Sequence, residues 1–173
     1  SASRRTDIPA FYSPWFFNRI KEGYVLVPNP FNSKMISKVS LNPAVIDCIV
    51  FWTKNPAPML PLLHEIDAMG YRYYFQFTLN PYGRDMERNL PALEARLGTF
   101  RRLAERIGPE RVIWRYDPVL LGGAYDIRFH TGAFAALAAG LKGYTEKCMI
   151  GFLDFYRHIR KVMDEAGAGV PSP

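Results

Sequence analysis

The sequence predicts an α/β fold with parallel strands, in the form of a partial TIM-like (β/α) barrel of about six βα units. Three observations predict it. Short apolar runs alternate with helical patterns at spacings of roughly 25–40 residues, the rhythm of right-handed βαβ crossovers. Most of these runs break into a polar cluster closed by proline: SASRRTDIP (1–9), YVLVPNPFN (24–32), CIVFWTKNP (48–56), YYFQFTLNP (73–81) and RVIWRYDP (111–118), with a weaker case in CMIGFLD (148–154). Each cluster falls at a strand's C-terminal end, the edge where α/β proteins build ligand sites.

The elements follow in order. Residues 11–22 read as a helix, with Ser13 as N-cap, Pro14 in the first turn, and Phe16, Phe17 and Ile20 at helical spacing. Gly23 ends it. YVLV is a strand, and PNPFN stops it because two prolines remove ladder donors. Residues 33–45 are a connector with room for a short extended piece. IDCIVFWT is a strand of β-branched and aromatic residues. MLPLLHEIDAMG reads as a helix closed by Gly70. YRYYFQFTL is the next strand. Residues 86–107 form a long amphipathic helix, regular from about Pro91, with Leu93, Leu97, Phe100, Leu103 and Ile107 on one stripe. RVIWRY is a strand. A Gly122-Gly123 turn leads to an alanine-rich helix over 127–142. KCMIGFLDFY is the last strand, YRHIRKVMDEAG a closing helix, and GAGVPSP a tail not expected to be ordered. The expectation is one α/β domain over 1–173. A closed barrel of this type has eight strands. Six leave either an open sheet or an incomplete barrel.

Composition narrows the function classes. Apolar residues make up 49% and charged residues 22%, which suits a globular protein. There is no signal peptide and no apolar run of bilayer length, so the expectation is a cytoplasmic protein without a membrane partner. Net charge is +6 and the pI about 9.4, which favours anionic partners. Residues 84–111, with seven arginines among several glutamates, look like a solvated helix face. The 14% of aromatic residues supply a bulky core, or stacking surfaces for a planar ligand. Cys48 and Cys148 each open an apolar run and read as a reduced, buried pair. His64, His130 and His158 lie on predicted helices and read as helix-face residues. HExxH, GxSxG, GxxxxGK[ST] and GxGxxG are all absent. The oligomeric state is not legible.

Strand alternation selects the polar side chains that share a face. Arg115 and Asp117 lie with Ile113. Lys54 lies with Trp52, and Thr53 with Asn55. Tyr74, Gln76, Thr78 and Asn80 oppose an apolar face of Phe75, Phe77 and Leu79. Gln76 and Arg115 sit inside apolar strands, where an unpartnered polar group is costly. Either they form internal structural pairs, such as Arg115 with Asp117 or Asp154, or they hold a ligand. Arg4, Arg5 and Asp7 form the densest charge cluster, suited to phosphate or carboxylate. Asp7 could equally orient Arg5 or cap the helix. Lys54 fits a phosphate ligand, a proton-transfer group or a Schiff-base lysine, or else a plain surface lysine at a strand end. Asp7, Asp117 and Asp154 could together hold a divalent metal, but no spacing demands one, and no metal site is assigned.

Five blocks, SASRRTDIPAFYSPWFFNRI, YVLVPNPFN, DCIVFWTKNPAPML, YYFQFTLNPYG and VIWRYDPVLL, closely resemble a bacterial family known only as a domain of unknown function, whose members open with S-x-SRRTDIPA. The resemblance covers nearly the whole chain. It implies a barrel-like protein longer than this chain, with a C-terminal cluster resembling the CxxxCxxC of radical-SAM and spore photoproduct lyase-like enzymes. Such a cluster would bind a [4Fe–4S] centre and S-adenosylmethionine. The chain ends at Pro173 without it, so both cofactors are expected only if the protein extends further. Arg4, Arg5, Asp7, Asn29, Asn32, Lys54, Asn55, Gln76, Thr78, Arg115 and Asp117 match the family's polar blocks.

The expected function is that of an enzyme, or part of one, which binds an anionic small molecule or nucleotide at the strand ends. It would be a lyase or radical-SAM-like enzyme if an iron–sulfur cluster is carried. Arg115, Asp117 and Lys54 are the catalytic candidates. Arg4, Arg5, Asp7, Asn29, Asn32, Asn55, Gln76, Thr78 and Asp154 are the ligand-binding candidates. The alternative is a nucleic-acid-binding module using the same basic edge with Trp52, Tyr82 and Trp114.

Overall fold

A computed structural model describes residues 2, 6–32 and 34–153. Arg4, Arg5, Asp154, His158, the closing helix and the tail lie outside the described residues. The fold is mixed α/β. Four strands, β3 (Ile49–Thr53), β4 (Tyr73–Thr78), β5 (Val112–Val119) and β6 (Cys148–Phe152), form a parallel sheet in that order, and two others form a separate sheet. The chain divides into two compact units, Ser1–Gln76 and Phe77–Pro173.

In the first unit, α1 spans Ile8–Phe11 and α2 spans Ser13–Glu22. Asp7 caps α1 by accepting the Ala10 N–H at 3.0 Å. Ser13 does not cap, contrary to the sequence reading. It lies inside the first turn of α2, and its hydroxyl donates to the Pro9 carbonyl at 2.8 Å. The proline-bearing turn of α1 runs so directly into α2 that the Ser13 hydroxyl faces a carbonyl instead of free N–H groups. Gly23, at φ 75°, closes α2 by donating to the Arg19 and Ile20 carbonyls.

Strand β1, Tyr24–Pro28, does not enter the parallel sheet. It pairs antiparallel with β2, Ile36–Ser40, with Tyr24 opposite Ser40 and Pro28 opposite Ile36. The expected parallel placement of YVLV is thus corrected, and the connector supplies its partner. The reason is local. Asn29 accepts the Phe31 N–H at 2.8 Å, and Asn32 accepts the Lys34 N–H at 3.2 Å, two Asx turns that reverse the chain. A parallel partner would need a crossover of roughly a dozen residues or more.

Strand β3, Ile49–Thr53, buries Ile49, Phe51 and Thr53 on one face. Phe51 meets Phe16 edge-on at 5.2 Å and Phe75 at 4.9 Å, which makes the centre of this unit's core. A 3₁₀ turn over Leu60–Leu62 leads into α3, Leu63–Ala68, and Gly70 reverses the chain at φ 76°. Strand β4, Tyr73–Thr78, follows. Its Tyr73, Phe75 and Phe77 are buried as the alternation predicts.

In the second unit, α4 spans Leu93–Ile107 and buries Leu97, Phe100, Leu103 and Ile107. Residues 86–92 are turns and not helix. The buried Arg96 holds them through Glu87 at 2.9 Å and the Pro91 carbonyl at 3.1 Å. Strand β5 spans Val112–Val119, α5 Ile127–Leu141 and β6 Cys148–Phe152. Asp126 caps α5 through the Phe129 N–H at 2.7 Å. Strands β5 and β6 are parallel, with Trp114 opposite Cys148. Phe77 stacks on Phe100 at 5.0 Å and Trp114 on Phe134 at 4.8 Å. Both cysteines are exposed free thiols, not a buried pair. Cys48 precedes β3, and Cys148 starts β6, whose residues are mostly exposed. No described helix is long and apolar enough to cross a membrane.

Phe100 is fully buried and stacked. Its replacement by alanine is expected to cost about 3–5 kcal/mol, read as a fall in the urea midpoint with little change in the slope. A loss below about 1 kcal/mol would contradict this packing.

Candidate functional site

In the second unit, the ends of β4 and β5 carry Asn80-Pro81-Tyr82 and Tyr116-Asp117-Pro118. Neither proline has an N–H to donate to a ladder, and the β5–β6 register shifts between Tyr116 and Val119. Side chains take over. Asn80 is 1% exposed. Its Oδ1 accepts the Asp117 N–H at 3.0 Å, and its Nδ2 donates to the Asp117 carbonyl at 2.9 Å. The amide thus imitates a neighbouring strand and satisfies both backbone groups of one residue. Tyr82 continues the substitution. Its hydroxyl donates to the Pro118 carbonyl at 2.6 Å and accepts the Leu120 N–H at 2.8 Å.

With its backbone held, Asp117 presents its carboxylate on the half-buried face of β5. Two residues back, Arg115 lies on the same face and pairs with it, Nη2 to Oδ2. The side chains are 13% and 22% exposed, so the pair lies at the boundary of solvent. Gly151 on β6 lies beneath the carboxylate, where a Cβ would come within 2.6 Å of Asp117 Oδ1. A side chain there would force the carboxylate to shift. Arg115 Nη1 approaches Met149 Sδ at 4.0 Å.

A second set of bonds holds the loop after β5. The His130 ring lies 2.7 Å from the Leu120 carbonyl through Nε2 and 2.7 Å from the Tyr116 hydroxyl through Nδ1. A carbonyl can only accept, so Nε2 carries a proton, and in the neutral imidazole Nδ1 accepts from Tyr116. His130 is on a helix, as expected, but it faces inward and is buried. Tyr125 donates to Asp85 at 2.5 Å, which lowers the Asp85 pKa. Burial pushes the Tyr82 phenol up to about 12, with the neighbouring Glu87, Tyr125 and Asp117 charges adding to the shift. Burial, then the Tyr82 charge, pushes Tyr116 up to about 12.

The other sequence candidates fall into two groups. In the first unit, Asp7 Oδ1 caps α1 and Oδ2 accepts the Lys54 N–H at 2.9 Å, so its carboxylate ties the N-terminal segment to the end of β3. Asn55 accepts the Ala57 N–H at 3.2 Å and, like Asn29 and Asn32, builds a turn. Lys54 and Gln76 are half-buried. In the second unit Thr78 is buried and Arg115 meets Asp117. Asn80, Tyr82 and His130 were not among the candidate site residues. Strand alternation marks Asn80 only as a face residue, and Tyr82 stands only as a ring near the basic edge. The available signal was the pairing of two strand ends, N-P-Y with Y-D-P, each with a donor or acceptor beside a proline.

Among the described residues no three His, Cys, Asp or Glu side chains converge as a metal site would require. The chain has two cysteines, fewer than the three thiolates of a CxxxCxxC cluster, so these residues do not fit an iron–sulfur centre.

A family model described as a domain of unknown function (DUF1848) matches residues 1–172. No curated protein matches the chain. No solved structure matches it either.

Replacing Asn80 by alanine leaves the Asp117 N–H and carbonyl without their partners and is expected to cost about 2–4 kcal/mol in urea unfolding. A second expectation concerns alkaline pH. Tyr82 and Tyr116 titrate near 12 when folded and near 10 when unfolded. Below pH 10 both states hold the protons; between 10 and 12 only the unfolded state releases them. Stability therefore falls as pH rises through that window. Tyr116→Phe should show a shallower fall, read from unfolding midpoints across the pH series.

Proposed function

Because the chain belongs to this family of unknown function, its own residues carry the argument, and we propose that the end of β5 in the second unit is the binding edge of a (β/α)-barrel enzyme or part of one. The ligand class is a nucleotide or similar anionic small molecule that also carries hydroxyl groups. The observation behind this reading is the half-buried Arg115–Asp117 pair, held from behind by the Asn80 amide.

The two side chains favour complementary ligand groups. An arginine guanidinium matches phosphate oxygens in a fixed geometry. An ionised aspartate accepts hydrogen bonds from hydroxyls, as on a ribose. A bare dianion would meet repulsion from Asp117, whereas a phosphorylated sugar or nucleotide satisfies both. Asn80 and Tyr82 would act as positioning residues, because their polar groups are engaged with the backbone of the β5 end. The barrel closure and the radical-SAM relationship are parts of the same proposal. Parallel strands joined by helices, with polar residues at their C-terminal ends, support the barrel. The sequence resemblance supports the radical-SAM relationship.

Calorimetric titration with AMP, ATP, adenosine and inorganic pyrophosphate tests the reading. AMP and ATP should bind, and Arg115→Met should weaken both at least tenfold, about 1.4 kcal/mol. Asp117→Asn should weaken AMP and adenosine more than pyrophosphate. Melting curves on both variants separate binding from folding. Unchanged nucleotide affinity in folded variants would overturn the proposal, as would the absence of any binding. Salt-sensitive binding of single-stranded DNA in place of nucleotides would favour a nucleic-acid module.

A further inference from the structure

The first unit contains a cavity of about 700 Å³ that the strand-end site does not use. Its walls come from α2, from β1 and β2, and from the start of β3, and they include Trp15, Ile20, Val39, Ile46 and Tyr71. The lining is overwhelmingly apolar. Pockets of about 300–1,000 Å³ with apolar walls and a few placed polar groups are the usual form of a small-molecule site. Tyr71 donates its hydroxyl to the Leu41 carbonyl, so that phenol braces the wall and does not solicit a ligand.

Arg19 is the charged residue in this lining. Its Nη2 meets Glu22 at 3.1 Å toward the solvent side. Its Nε is buried and has no hydrogen-bond partner among the described residues. A buried donor without an acceptor costs about 1–3 kcal/mol, more on a charged group. Glu22 cannot relieve it while it holds Nη2 on the exposed side. An acceptor arriving from the cavity can. A neutral oxygen would satisfy the donor, and a carboxylate would make a charge-assisted bond about twice as strong.

We propose that this cavity binds an apolar monocarboxylate, its chain or ring among the α2, β1 and β2 side chains and its carboxylate on the Arg19 Nε–H. The walls favour the body of such a molecule, and Arg19 favours its head. The site is independent of the strand-end proposal: every lining residue belongs to the first unit.

The probes are decanoate and decan-1-ol, titrated into the full chain by calorimetry, with Trp15 on the wall adding a fluorescence signal. Decanoate should bind one to one and at least tenfold more tightly than the alcohol. Arg19→Met should remove that preference while leaving decanol binding unchanged. Val39→Trp, which fills the cavity from β2, should abolish binding of both. Melting curves establish that each variant is folded. If Arg19→Met does not fold, a salt series on the parent protein, with decanoate weakened and decanol not, carries the same test. Equal affinity for acid and alcohol overturns the proposal. So does decanoate binding that survives Val39→Trp, or a protein that buries these walls in a dimer by sedimentation and binds neither probe.

Discussion

The second unit is organised around a side-chain amide doing the work of a strand. Asn80 meets both backbone groups of Asp117 beside Pro118, where the β5–β6 register shifts. Buried backbone groups must be paired, and the Asn80 amide that pairs these is itself buried. Without Asn80, the end of β5 would have to move outward to be solvated, taking with it the carboxylate and the arginine that depends on it. Tyr82 extends the same device to Pro118 and Leu120, and His130 holds Leu120 from its carbonyl side. Helix α5, which carries His130, is thereby linked to the geometry of the strand end. The pair exposed to solvent is the outermost member of a series of satisfied bonds.

The first unit uses an acid in a comparable way. Asp7 binds the start of α1 with one oxygen and the end of β3 with the other. Chain segments far apart in sequence are thus joined by one carboxylate, whereas Asn29, Asn32 and Asn55 serve only their immediate turns. Polar residues of the same kind at similar strand ends therefore have different tasks.

The strands and main helices were legible because their periods are clean. Phe75, Phe77 and Leu79 against Gln76, Thr78 and Asn80 show a period of two, and Leu97, Phe100, Leu103 and Ile107 a helical stripe. The Arg115–Asp117 pair was legible for the same reason, as residues two apart share a face. The direction of β1 was not, since a strand's own pattern is identical in parallel and antiparallel partners. Only the Asx turns at Asn29 and Asn32 decide it, and their geometry depends on side chains bonding to the backbone. The role of Asn80 was hidden because it depends on a residue 37 positions later. The exposure of both cysteines was hidden because an apolar run announces a strand but not whether its end is covered.

Gly151 gives the site a boundary of a different kind. Its place under Asp117 is occupied by the carboxylate itself, so the position contributes by having no side chain. Any other residue would have to push either the acid or its own strand away, and the acid is tethered through its backbone. The aspartate's reach is therefore set from below by the Gly151 backbone and from behind by an amide. A substitution at 151 would register as an altered Asp117 even though glycine offers no functional group. Chemical specificity at this strand end is in that sense partly encoded by a missing carbon atom.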